Sequence, residues 1–191
     1  SFSTASVNTL AERMRIDSSG SVGIGTDSPS GASGKTVAIN GGSGQARLAL
    51  KNTSTGDASG DGFQISLDNN SGSIEMRENL PLLFTTNNTE RMRIDSSGRV
   101  GIGVVPSTLW SSSYDALQIG LGGSIAAHAA AGHALKIGSN FVYEGIAPNY
   151  YDKYLTSSTA GKYEQDNDGH KWFTAASGTA GNAISWQERM R

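Results

Sequence analysis

The chain has 191 residues, of which glycine and serine together make up more than a quarter, and its apolar share is 36%. A formal net charge of −2, with acids and bases interspersed, excludes the basic surface of a nucleic-acid binder or a polybasic membrane patch. No apolar run approaches the roughly 20 residues that a bilayer-spanning helix demands, and the absence of cysteine excludes disulfide staples and thiol catalysis.

The first strong signal along the chain is residues 12–25, ERMRIDSSGSVGIG, which return at 90–103 as ERMRIDSSGRVGIG with one difference, Ser21 against Arg99. Glu188-Arg189-Met190-Arg191 opens a third copy. Such a phrase marks a chain assembled by reusing a structural unit. Its parity reads as a hairpin: Met14 and Ile16 share one face, Arg13, Arg15 and Asp17 the other, Ser18-Ser19-Gly20 turns, and Val22 and Ile24 return to the apolar side. Gly20 and Gly98 are expected at positive φ in the turn, and Gly23 and Gly25 where another backbone comes close. Pro29 and Pro106 end the strands. Residues 1–35 are therefore read as a hairpin repeat and linker.

Residues 36–103 read as an all-β module closed by the second hairpin. Arg47–Lys51, Phe63–Asp68 and Ile74–Arg77 alternate, Pro81–Thr86 leads into the second phrase, and clusters at 52–56, 68–72 and 87–88 are turns. Residues 104–191 read as an aromatic-rich β module ending in the start of a third repeat, with 11 of the 14 aromatic residues. Its expected strands are 116–119, 134–137, 141–144, 162–166, 170–174 and 183–187, with Asn167-Asp168-Gly169 a hairpin turn. The alanine-rich stretch 125–135 is compatible with one short helix, against which Gly132 and its β-like flanks weigh. The chain starts without Met and stops four residues into its own repeat, as expected of a piece of a longer protein.

The repeated phrase, the RLALKNTSTG and DGFQI segments, the TTNNTERMRI approach and the string GKYEQDNDGHKWFTAASGTAGNAISW resemble bacteriophage tail-fibre proteins, marine ones especially. The resemblance covers nearly the whole chain from about Gln45. It implies three parallel copies wound about one axis into a rigid β-structured shaft of the virion that carries a receptor-binding end. Many such fibres also end in an intramolecular chaperone domain that directs trimerisation and cleaves itself off, and no such domain is expected in these residues.

The expectation is thus an all-β, elongated, intertwined homotrimer, because short strands with one apolar face bury too little within one chain while three chains close a shared core. Met14, Ile16, Val22, Ile24, Met92, Ile94, Val100 and Ile102 are the candidate axial core. Glu12, Glu90 and Glu188 share the parity of that core, which suits either an inter-chain ion pair with a neighbouring arginine or a strand end turned to solvent. His128 and His133 read as packing or surface residues, and no metal or cofactor is expected. Glu164, Asp166 and Asp168 beside His170 lack the geometry of a glycosidase pair if, as expected, they form an exposed, solvated hairpin. No catalytic residue is expected, so the chain reads as no enzyme. Tyr150, Tyr151 and Tyr154, in a projecting loop 148–154, are candidates for contact with a bacterial surface glycan, weighed against rings that fill a wider section of shaft. Partners are two further copies and, through other parts of the fibre, a surface receptor or glycan, with neither nucleic acid nor membrane insertion. The alternatives are a cell-surface adhesin stalk and, less favoured, a polysaccharide-degrading tailspike.

Overall fold

The computed structural model describes residues 2–6, 9–29, 34–68, 70–128, 134–146 and 149–191. Those residues are all-β, with no helix among them. They divide into two compact units, residues 1–79 and 80–191. The second phrase falls near the start of unit 2 and pairs with strands on both sides of it, so it belongs to that unit and does not close the module before it.

In unit 1, β1 (Phe2–Ser6), β2 (Thr9–Ile16), β3 (Val22–Ile24) and β4 (Val37–Ile39) form a four-stranded sheet in chain order, whose last pair is parallel. β5 (Ala46–Leu50), β6 (Phe63–Leu67) and β7 (Gly72–Met76) form an antiparallel three-stranded sheet. Unit 2 repeats the opening with β8 (Leu82–Thr86), β9 (Thr89–Ile94), β10 (Val100–Ile102) and β11 (Tyr114–Ile119), again with the last pair parallel. Three antiparallel strands follow in space, β12 (Gly123–His128), β13 (Leu135–Ser139) and β16 (Ala160–Asp166). Between β13 and β16 the chain inserts a separate hairpin, β14 (Val142–Ile146) and β15 (Asn149–Lys153). β17 (Gly169–Ala175) and β18 (Gln187–Met190) complete a nine-stranded sheet in the order β18-β17-β16-β13-β12-β11-β10-β9-β8.

Period-two alternation gives each sheet one apolar face. In unit 1, Leu48, Ile65 and Ile74 stand in register across β5 to β7, and Met14, Ile24 and Ile39 across β2 to β4. In unit 2 one register line runs Ile94, Val100, Leu117, Ile125, Ile137, Tyr163, Trp172 and Met190 over eight consecutive strands. These rows are largely open to solvent in the single chain, with Ile65 at 48% and Ile137 at 42% exposure.

The opposite faces differ between units. In unit 2 the inserted hairpin and neighbouring loops cover small sheet residues, so that Trp110, Phe141, Val142, Tyr154 and Ile184 pack with Ala116, Ala126, Ala160 and Ala175 into a hydrophobic core. Trp110 and Trp186 both meet the Phe141 ring edge-on, at 6.0 and 6.3 Å. Asn140, at φ +59°, ties the return to β16: its amide donates to the carbonyls of Thr156, Ser158 and Thr159, and its oxygen accepts from the Thr156 N–H and hydroxyl. In unit 1, the buried residues among those described are Ser21, Gln64, Pro29 and two glycines, Gly23 and Gly62.

Several sequence expectations are corrected. The Tyr-rich segment 148–154 is mostly strand β15, paired with β14 by a full antiparallel register, and does not project as a loop over its described residues. Ile125–His128, by contrast, follows the weight given to Gly132 and the β-like flanks: it is extended within β12, where alternate residues enter the core, so the described part of the alanine-rich stretch is not helical. Of the expected strand 183–187, Ala183 makes an isolated bridge to Lys153 and only Gln187 is in a strand, the first residue of Gln187–Met190.

Candidate assembly face

The phrase folds the same way in both complete copies. Asp17 closes the first turn, its Oδ1 accepting the backbone N–H of Ser19 and Ser21 at 2.9 Å each, and Asp95 does the same for Ser97 and Arg99. The Ser19 hydroxyl, donating first among these groups, holds the Asp17 carboxyl below its ordinary range. Gly20 and Gly98 sit at φ +86° and +81°, where a β-carbon would strain the turn. Gly101 lies against the following loop, where an added Cβ would come within 2.2 Å of the Val104 carbonyl oxygen. The one divergent position is used twice for one purpose. Ser21, buried, accepts from the Thr36 N–H, whereas Arg99 pairs with Asp95 and donates to the Ser107 carbonyl, so each fastens its hairpin to the loop that follows.

A β-bulge explains the odd parity of the glutamates. Phe2 faces Met14 and Ser3 faces Glu12; Phe84 faces Met92 and Thr85 faces Glu90; Trp172 faces Met190 and Phe173 faces Glu188. One residue, Arg13, Arg91 or Arg189, is therefore extra in each strand and turns the glutamate off the apolar face. Glu12 then reaches Arg15, and Glu90 makes a two-pronged pair with Arg93 at 2.6 Å per contact. These guanidinium bonds, the largest influence on each, hold both carboxyls below their usual range. Both glutamates are thus committed within their own chain, where the sequence left an inter-chain pair and solvent as the two options.

Met14, Ile16, Val22 and Ile24 lie in register on one sheet face, as do Met92, Ile94, Val100 and Ile102 on another. The methionines, valines and Ile94 are half-buried, and Ile16, Ile24 and Ile102 are exposed. In unit 1, Val37, Ile39, Leu48, Ile65 and Leu67 border an open apolar groove of about 220 Å³. The apolar faces are aliphatic over most of their length, a surface suited to another apolar surface.

The remaining candidates separate by burial. Tyr154 is buried, its hydroxyl donating to the Ala176 carbonyl at 2.6 Å, so its ring packs in the core and does not face a ligand. Tyr151 is half-buried near the Lys153 ammonium, and the Tyr150 side chain lies outside those described. His128 stands edge-on to the Tyr114 ring at 5.0 Å, and His133 lies outside the described residues. Asp168 in the turn is exposed as expected, at 71%, whereas Glu164 pairs with buried Lys162 and Asp166 with Lys171, so these two acids are less solvated than expected.

Under that hairpin lies a feature the sequence reading did not find. Asp152 of β15, 4% exposed, receives Lys136 Nζ on Oδ1 at 3.2 Å, and Lys162 Nζ and Trp186 Nε1 on Oδ2, each at 2.7 Å. Burial lowers the Lys136 ammonium's pKa against the opposing pull of Asp152. Lysines at polar parity look like solvent-facing residues, and only the covering hairpin makes them interior. Comparisons with family models, curated proteins and solved structures return no match.

Proposed function

We propose that the chain is a structural segment of a homotrimeric phage tail fibre, a β-structured shaft of the virion that holds a receptor-binding end away from the particle. The observation that carries this reading is the pairing of open aliphatic rows with an interior of Ser21, Gln64, Pro29 and glycines in unit 1. Full burial of one Leu or Ile side chain contributes about 1.5–3 kcal/mol. Leu48, Ile65 and Ile74, each about half exposed, forgo much of that in isolation and recover it when other copies cover them. The in-chain Glu12–Arg15 and Glu90–Arg93 pairs remove charge from the covered face, which fits an apolar contact between copies. The function that follows is mechanical, and rigidity comes from the shared core.

Light scattering on the purified chain from nanomolar to micromolar concentration tests the assembly, with a three-chain mass expected throughout the folded range. A folded monomer at micromolar concentration sinks it. Antibodies raised against residues 80–191 test the location: they should decorate virion fibres in electron micrographs, and labelling of a bacterial cell surface instead would favour an adhesin stalk.

A further inference from the structure

The charge cluster beneath β14–β15 holds an amine and a carboxyl group in reactive contact. Lys162 Nζ lies 2.7 Å from Asp152 Oδ2 and 2.5 Å from Glu164 Oε2, and the Lys162 and Asp152 side chains are 5% and 3% exposed. The amine also sits 4.9 Å from the ring centres of both Phe173 and Trp186, so aromatic walls keep bulk water from it. Lys136 and Trp186 donate to the two carboxylate oxygens of Asp152. An ion pair so enclosed bears a desolvation cost that a neutral product would not. Reactants held in this contact also need no encounter, which is worth several orders of magnitude in effective concentration.

We propose that Lys162 and Asp152 join in a spontaneous intramolecular isopeptide bond that fastens the inserted hairpin to the nine-stranded sheet, with Glu164 as the catalytic acid–base. Proton transfer from the Lys162 ammonium to the Asp152 carboxylate, relayed by Glu164, turns the ion pair into a neutral amine and a carboxylic acid. The Nζ lone pair attacks Cγ, and the oxyanion forms on Oδ1, where the Lys136 ammonium stabilises it. Glu164 takes a proton from Nζ and passes it to the Oδ2 hydroxyl, which leaves as water with Trp186 Nε1 directed at that oxygen. One C–N bond forms and one C–O bond breaks. One water is released, no electron changes hands, and Glu164 ends as it began.

The bond would join residues ten apart on strands that share no backbone ladder, since β15 lies in the sheet of β14 and β16 in the nine-stranded sheet. Pulling the Asp152 end of the hairpin away from β16 would then require breaking an amide. The inference stands on the cluster alone and does not depend on the assembly proposed above.

The test is the intact mass of the full chain under denaturing conditions, followed by tryptic mapping. The wild-type chain should be lighter by one water. Because trypsin does not cut at an acylated lysine, the peptide 137–153 should appear joined to 154–171 through Asp152 and Lys162. Lys162→Arg, with folding checked by near-ultraviolet circular dichroism, should restore the full mass, whereas Lys136→Arg should keep the link. Glu164→Gln should slow linking by about a hundredfold. A folded wild-type chain at full mass overturns the proposal. So does a lost water that maps to the Asp–Gly sequences at 61–62 or 168–169, or a linked peptide containing Lys136 in place of Lys162.

Discussion

Glu75 and Glu164 occupy matching places in the two units. Each lies on the third of three antiparallel strands, beside an apolar register line, and each faces a buried residue on the neighbouring strand, Gln64 in unit 1 and Lys136 in unit 2. Their surroundings differ. Glu75 is held by the hydroxyls of Ser66 and Ser73 and by Arg77, at the edge of water. At the places of Ser66 and Ser73, unit 2 has Gly138 and Lys162, and the hairpin inserted after β13 lays Asp152 over them. Gly138 is needed for this arrangement, since a Cβ there would meet the Gly161 carbonyl oxygen at 2.2 Å and Lys162 at 2.7 Å. One strand plan thus yields two solutions: a thin sheet whose polar face is half-open apart from Gln64, and a sheet whose polar face becomes interior once the inserted hairpin and neighbouring loops cover it. The aliphatic rows on the other face are common to both, so they answer to a requirement that the insertion does not meet.

The sharpest way to break this comparison is to separate the units. Residues 80–191 alone should keep the near-ultraviolet circular dichroism of a packed tryptophan core, because Trp110, Phe141 and Trp186 pack within that unit. Residues 1–79 alone at micromolar concentration should show no cooperative thermal transition. A cooperative transition from 1–79 that light scattering shows to be monomeric would mean that its apolar rows suffice without partners.

Within the full chain, Phe141→Ala should cost about 3–5 kcal/mol, since a fully buried ring is lost. Hydrogen exchange should locate the loss in β11 to β17 and leave β5 to β7 unchanged. Asn140→Ala should cost less, about 2 kcal/mol, by leaving the Thr156 N–H and three carbonyls without their partner at a positive φ. Asn140→Gly relieves the backbone strain but not the lost bonds, so it should recover only a minor part. Full recovery would show that backbone conformation, and not the bonding, is what Asn140 contributes.

Much of the strand framework was legible because one apolar residue in two is a pattern that strands impose wherever only one face is covered. Phe63–Leu67 and Gly72–Met76 show it directly, and Gly20 and Gly98 marked the turns. What stayed hidden depended on position in space. The bulge at Arg13, Arg91 and Arg189 adds a single residue with no compositional mark; its one trace was a glutamate at apolar parity in every copy. Asn149–Lys153 alternates poorly, and its pairing with β14 is a tertiary fact. Lys136 and Lys162 sit at polar parity in their strands, and nothing local says that a hairpin inserted between those strands will enclose them.

The smallest effect is the response of Glu75 to acid. The Ser73 hydroxyl first, then the Arg77 guanidinium and the Ser66 hydroxyl, pull the Glu75 carboxyl down to about 2 from an ordinary 4.5. A carboxyl whose folded value lies below its unfolded value contributes stability that is complete above about 4.5 and fades as pH falls toward 2. The group is open to solvent, so salt and water screen the contribution to a modest one. Melting temperatures recorded across that window should fall more steeply for the wild-type chain than for Glu75→Gln, and 1 M salt should narrow the gap. Equal slopes would mean that the hydroxyls around Glu75 bind water as readily as they bind the carboxylate. The ionised Glu75 would then contribute nothing to the fold of unit 1, and its apolar rows would weigh more heavily as a source of stability.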